Sequence, residues 1–288
     1  MFTGSIVAMV TPFKDGAVDY DKLGELVDYH VENGTNAIIP CGTTGESPTL
    51  SHTEHGEVIG KVIETANGRI PVIAGTGSNN TSEAISLTRH AKEAGADGSL
   101  LITPYYNKPT QQGLYDHYKA ILEEVDIPII IYNVPSRTGV SISPETVARL
   151  SEFDNIVAIK EATGDIDQAS QILTLCDITV LSGDDSLTLP IMSIGGKGVV
   201  SVLANILPRE VSELTASIAK GDITNSQKLH RSLFPLCKAM FIETNPIPVK
   251  TAMKLLGRLN GEMRLPLSKM SDKHEEQLKK VLNNHGLA

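Results

Sequence analysis

The chain has 288 residues, of which 41% are hydrophobic, 20% charged and 4% aromatic, with no tryptophan; this is an ordinary globular composition with room for one large α/β domain or two smaller ones. A formal net charge of -9 argues against nonspecific nucleic-acid binding, and no apolar run approaches the roughly 20 residues of a membrane-spanning helix. Cys41, Cys176 and Cys237 are far apart, odd in number and form no C-x-x-C, which speaks against a disulfide framework or zinc ribbon and fits a reducing compartment.

The N-terminus Met1-Phe-Thr-Gly-Ser lacks the basic and long apolar regions of a signal peptide, so a cytoplasmic location is expected. Along the chain, short apolar runs rich in β-branched residues recur at 6–10, 37–39, 71–74, 99–102, 128–132, 156–159, 178–181 and 199–203. Helix-period sequence separates them at 19–33, 51–66, 81–94, 110–124, 144–151, 165–175 and 186–194, often closed by glycine or asparagine as at Asn33-Gly34, Asn67-Gly68 and Gly95. Strand and helix alternating at about 30-residue spacing make βαβ units. Eight of them predict an α/β fold of the (β/α)₈ TIM-barrel type; an open doubly wound sheet is the alternative. After Pro208 the strand pattern stops and helices are predicted at 210–220, 225–240, 248–256 and 272–284. The expected organisation is a catalytic barrel, 1–224, with a C-terminal helical extension, 225–288.

The polar residues that stand out follow the apolar runs, where a barrel gathers its loops into one mouth. The sixth run leads directly into Lys160. A lysine there is either solvated at the start of a loop or drawn into the mouth, where desolvation lowers its pKa and frees a neutral amine to attack a carbonyl. After the second run, Gly42-Thr43-Thr44-Gly45-Glu46-Ser47 gathers backbone N–H groups and hydroxyls suited to a small carboxylate; no Gly-Lys-Ser/Thr follows, so it is not a phosphate-binding P-loop. Gly75-Thr-Gly77 lacks the third glycine of a dinucleotide fingerprint. Tyr105 and Tyr106 lie in a proline-bounded loop, Tyr132 ends a buried strand, and Arg137 sits in the loop beyond it with a guanidinium fork matched to a carboxylate. Asp184-Asp185 suits a helix start better than a metal, and His52 and His55 have H-x-x-H spacing without an evident third ligand. Together these ends read as a carbonyl substrate held as an imine, phenols moving protons and an arginine holding a carboxylate.

Six segments carry a resemblance along nearly the whole chain: Gly42-Thr-Thr-Gly-Glu-Ser47, Ala74-Gly-Thr-Gly77, Thr103-Pro-Tyr-Tyr-Asn-Lys108, Tyr132-Asn-Val-Pro-Ser-Arg137, Lys160-Glu-Ala-Thr163 and Asn245-Pro-Ile-Pro-Val-Lys250. They resemble the dihydrodipicolinate synthase family, within the class I pyruvate aldolases that include N-acetylneuraminate lyase. The resemblance implies a lyase in which Lys160 condenses with pyruvate and the resulting enamine attacks L-aspartate-4-semialdehyde, at the start of diaminopimelate and lysine biosynthesis. It further implies a proton relay of Tyr132, Thr44 and Tyr106, the last reaching into a neighbouring subunit. Thr43 and Thr44 would hold the pyruvate carboxylate and Arg137 that of the second substrate, with Gly183 and Val200 lining the site through their backbone. Ser47, Pro48, His52, His55, Asn79, Glu83 and Tyr105 match the positions where lysine-sensitive members bind L-lysine at a dimer interface, with Pro48 standing where some of those members have alanine. No metal or organic cofactor is implied, and the implied assembly is a homotetramer, a dimer of dimers. A related aldolase acting on sialate or a 2-keto-3-deoxy sugar acid is the alternative, disfavoured by Arg137.

Overall fold

The computed structural model describes residues 2–287; Met1 and Ala288, the outer ends of the two expected segments, lie outside the described residues. Eight strands run parallel in one sheet: β1 (Gly4–Ala8), β2 (Ala37–Ile39), β3 (Ile73–Gly75), β4 (Gly98–Ile102), β5 (Ile129–Asn133), β6 (Ile156–Glu161), β7 (Thr179–Ser182) and β8 (Gly198–Ser201). β1 pairs with both β2 and β8, and a bridge from Ile38 to Val72 carries the ring from β2 to β3. The sheet therefore closes, and the open doubly wound alternative is excluded. A helix follows every strand: α1 (Tyr20–Glu32), α2 (His52–Ala66), α3 (Thr81–Ala94), α4 (Gln111–Glu124), α5 (Pro144–Leu150), α6 (Ile166–Leu175), α7 (Thr188–Ser193) and α8 (Pro208–Ala219). Three more, α9 (Ile223–Ala239), α10 (Ile247–Leu255) and α11 (Asp272–Asn284), complete the chain.

The helix ends follow local chemistry. Ser51 and Glu54 form a reciprocal capping box at the start of α2, while Asn67 and Gly95 close α2 and α3 in the left-handed conformation, satisfying backbone groups that have no partner inside the helix. The strands are β-branched and buried on both faces, as parallel strands must be. Alternate residues serve different layers. Ile130 and Tyr132 of β5 face the barrel interior with Ile6, Ile39, Ile73, Leu181 and Val200. Ile129 and Ile131 face the helices, with Leu114, Ile121 and Ile172. The helices α9 to α11 bury Leu233, Met240, Val249, Leu278 and Leu282 in the cluster that also holds Val7, Leu23 and Val58. They share a core with the first barrel units.

Several boundaries differ by a few residues from those predicted, and two of them bear on the site. β6 runs two residues past the apolar stretch, so Lys160 and Glu161 are strand residues; Ala158 to Glu161 pair in register with Thr179 to Ser182. β8 ends at Ser201, and Leu203–Asn205 forms a 3₁₀ turn held by side-chain hydrogen bonds. A two-residue hairpin, Phe13–Lys14 with Ala17–Val18, sits between β1 and α1; it is too short for periodicity to reveal.

Candidate active site

Register decides what meets at the mouth of the barrel. Tyr132 lies opposite Lys160 and Asn133 opposite Glu161. Strand alternation then sends the first pair inward and the second outward. The outward pair is tied together, Asn133 Nδ2 donating to Glu161 Oε2 at 3.1 Å, with the Thr163 N–H on the other carboxylate oxygen at 2.8 Å. The inward pair places Lys160 Nζ 4.0 Å from the centre of the Tyr132 ring. Lys160 is 6% exposed and Tyr132 7%.

That burial sets the chemistry. Desolvation brings the Lys160 ammonium down from 10.5 to about 8, against the opposing pull of Asp184 and Asp185, and so makes the free amine accessible near neutrality. The Tyr132 hydroxyl is pushed up to about 12, again mainly by burial, with the Arg137 charge opposing. A neutral amine beside a phenol that holds its proton is a nucleophile with a proton donor at hand.

Both open on a cavity of about 590 Å³ that Thr43, Thr44, Arg137 and Gly183 also line. A side chain at Gly183 would stand 2.5 Å from Ala162 Cβ and 3.0 Å from the Glu161 carbonyl, so the backbone beside Lys160 can only approach this closely as glycine. Thr44 is buried, and its hydroxyl accepts from Asn245 Nδ2 at 3.0 Å. Arg137, in the short helix Pro135–Thr138, donates through Nη2 to the Asn245 carbonyl at 3.2 Å.

The threonine turn is pinned from the far end of the chain. Glu46, left-handed at φ 54°, buries its carboxylate against Lys250 Nζ at 2.5 Å and the Arg264 N–H at 3.1 Å. Lys250 also donates to the Thr11 carbonyl at 2.9 Å. Both charges are out of solvent, where an ion pair holds only if its remaining donors and acceptors are met. Burial lowers the Lys250 pKa while the Glu46 charge raises it.

The other expected residues divide. Ser47, Pro48, His52, His55, Glu83 and Tyr105 line the same cavity as Lys160. His52 Nε2 meets Glu83 Oε1 at 3.0 Å, and Ser78 also bonds that carboxylate. His55 Nε2 instead meets the Gly75 carbonyl at 2.9 Å, and burial lowers the pKa of its ring. The two histidines therefore serve separate partners, and among the described residues no three His, Cys, Asp or Glu are grouped to hold a metal. Asn79 lies off the cavity and donates to the Tyr105 carbonyl at 3.1 Å. Tyr106 is 89% exposed and left-handed at φ 70°, and within one chain it does not meet Lys160. Val200 is buried in the barrel interior but below the cavity, which Val202 lines in its place.

Two functional groupings escape a reading of the sequence. Asn245 lies about two hundred positions from Thr44, and no local pattern links them. The buried Asp185 carboxylate accepts from the backbone of Val202 at 2.9 Å and Leu203 at 3.0 Å and from Ser201 Oγ at 2.5 Å, fastening the end of β8. Its position at the start of a 3₁₀ turn was legible; the strand it reaches was not.

The family model for the dihydrodipicolinate synthetase family matches residues 1–285. The chain belongs to that family. The 4-hydroxy-tetrahydrodipicolinate synthase of Geobacter sp. (strain M21) is 59% identical over 289 residues, covering 100% of both chains. The dihydrodipicolinate synthase of Acinetobacter baumannii, solved in complex with pyruvate, superposes with a TM-score of 0.98 at 48% identity and covers 100% of each chain. That of Cyanidioschyzon merolae, solved with lysine bound, gives 0.97 at 42% identity over 100% of this chain and 99% of that one. Membership makes the chain an enzyme, a lyase that forms a Schiff base. Among the described residues no helix is long and apolar enough to cross a membrane.

Proposed function

We propose that the chain condenses pyruvate with L-aspartate-4-semialdehyde to 4-hydroxy-tetrahydrodipicolinate, in lysine biosynthesis by the diaminopimelate route. The observation that carries the reading is Lys160, buried against Tyr132 at the end of β6 and open to a cavity with Thr44 and Arg137. The neutral Lys160 amine adds to the pyruvate ketone; water leaves and an imine forms. Loss of a methyl proton gives the enamine, whose terminal carbon bonds to the aldehyde carbon of the second substrate. The amino group of that substrate then attacks the imine carbon, closes the ring and releases Lys160. Tyr132 and Thr44 move protons at the imine carbon. The hydroxyl and N–H groups of the Thr43–Thr44 turn hold the pyruvate carboxylate, Arg137 holds the carboxylate of the aldehyde, and Gly183 bounds the site through its backbone. The relative solved with pyruvate supports the first substrate, and no metal or cofactor enters the scheme.

Tyr106 completes the relay from a neighbouring subunit in a homotetramer, a dimer of dimers; an outward tyrosine at 89% exposure supports this. L-Lysine inhibits from this cavity, held by Ser47, Pro48, His52, His55, Glu83 and Tyr105, with Asn79 bracing the Tyr105 carbonyl. Glu83 offers a carboxylate to an ammonium there, and the relative solved with lysine supports the ligand. Residues 225–288 act as an extension of the 1–224 barrel, supplying Asn245 and Lys250 to its mouth. The test is turnover of pyruvate plus aspartate semialdehyde, with borohydride trapping of pyruvate on the protein. The expected result is product, and a pyruvate-sized adduct on Lys160 that Lys160→Ala abolishes. Equal labelling of Lys160→Ala would overturn it.

A further inference from the structure

We propose that Asn245 is the residue that recognises the α-ammonium of the aldehyde substrate, so that Asn245 and Arg137 together read an α-amino acid head group. The inference rests on the reading above and names a contact that reading leaves open. Asn245 is 5% exposed and lines the cavity. Its amide nitrogen is engaged with Thr44 Oγ1 at 3.0 Å. Among the described residues its Oδ1 meets no donor, though it is buried. A buried acceptor without a donor is uncommon in a folded protein, and one on the wall of a substrate cavity marks where a ligand donor belongs.

The partner on its other side fixes which donor. Arg137 Nη2 touches the Asn245 main-chain carbonyl at 3.2 Å, leaving the rest of the guanidinium fork free for a carboxylate. In an α-amino acid the carboxylate and the ammonium hang from one carbon. The residues that bind them must therefore be neighbours, one a cation and the other an acceptor, as Arg137 and Asn245 are. Asp184 lines the same cavity, and among the described residues no side chain hydrogen-bonds its carboxylate, so a negative field faces the incoming ammonium. A site built to pair a buried acceptor discriminates strongly against an analogue that lacks the donor, because the acceptor then stays unmet.

The experiment compares two unreactive mimics of the aldehyde as competitors in the pyruvate-charged enzyme: homoserine, which carries the ammonium, and 4-hydroxybutanoate, which does not. The wild type is expected to bind homoserine at least tenfold more tightly. Asn245→Ala is expected to bring that ratio near one, with a borohydride-trapped pyruvate adduct still forming on Lys160. Asn245→Asp cannot donate to Thr44 but keeps an acceptor, and is expected to keep the preference. Loss of affinity for both mimics alike in Asn245→Ala would overturn the proposal, and so would loss of the preference in Asn245→Asp, which would assign the residue to Thr44. Absence of any pyruvate adduct in the wild type would instead overturn the synthase reading itself.

Discussion

The amine of Lys160 offers the sharpest test, because burial gives it a titration far from that of an ordinary lysine. With a pKa of about 8 in place of 10.5, roughly one amine in ten is neutral at pH 7, against about one in three thousand, a gain near 300-fold in the reactive form. The rate of adduct formation with pyruvate, quenched by excess borohydride at timed intervals and read by mass spectrometry, should rise about tenfold per pH unit up to pH 7. It should bend near pH 8 and be flat above. Tyr132, titrating at about 12, keeps its proton throughout. The Asp184 charge raises the Lys160 pKa, so Asp184→Asn should move the bend to lower pH. A rate still climbing at pH 10, or a bend that stays in place in Asp184→Asn, would refute the claim that desolvation activates this lysine.

The same shift has a stability sign. Lys160 binds fewer protons folded than unfolded between about pH 8 and 10.5. Stability therefore rises with pH through that window, and below it the burial of Lys160 costs up to about 3 kcal/mol. Lys160→Met should accordingly be inactive yet more stable to urea at pH 7, and equal or lower stability would contradict the shift. At the threonine turn, Glu46→Gln leaves Lys250 buried and unpaired; it should lose about 3–5 kcal/mol in urea unfolding, with Glu46→Gln/Lys250→Met recovering much of that. Mixing inactive Lys160→Ala with weakened Tyr106→Phe should restore activity if Tyr106 works in a neighbour's site, since a mixed dimer holds one site with both native residues; a mixture no better than its parts would place Tyr106 outside the relay.

Much of this arrangement could be read before the fold was known, for a definite reason. Each barrel unit writes its own local pattern, and the fold places every strand end on one face; Lys160, Tyr132 and the Thr43–Thr44 turn therefore reach one cavity from separate βα units. Whether Lys160 belonged to a strand or a loop could not be read, because a charged residue breaks the apolar pattern even where register carries it two residues further. The Asn245 segment stood out in the sequence, but its place in the site could not be read, for another reason. Its partners Thr44 and Arg137 come from the second and fifth units, and only the path of the chain after α9 brings it across the mouth. Tyr106 shows the limit of a single chain: the part proposed for it depends on a surface that one copy does not contain.

The buried pair between Glu46 and Lys250 also bears on how the molecule is born. A ribosome delivers the second barrel unit some two hundred residues before it delivers Lys250 and Arg264. Through that interval the Glu46 carboxylate has water for company, and the turn beside it keeps its local hydrogen bonds but lacks its ties to Lys250 and Arg264. The buried pair beside the threonine turn is therefore complete only once residues 250–264 have arrived.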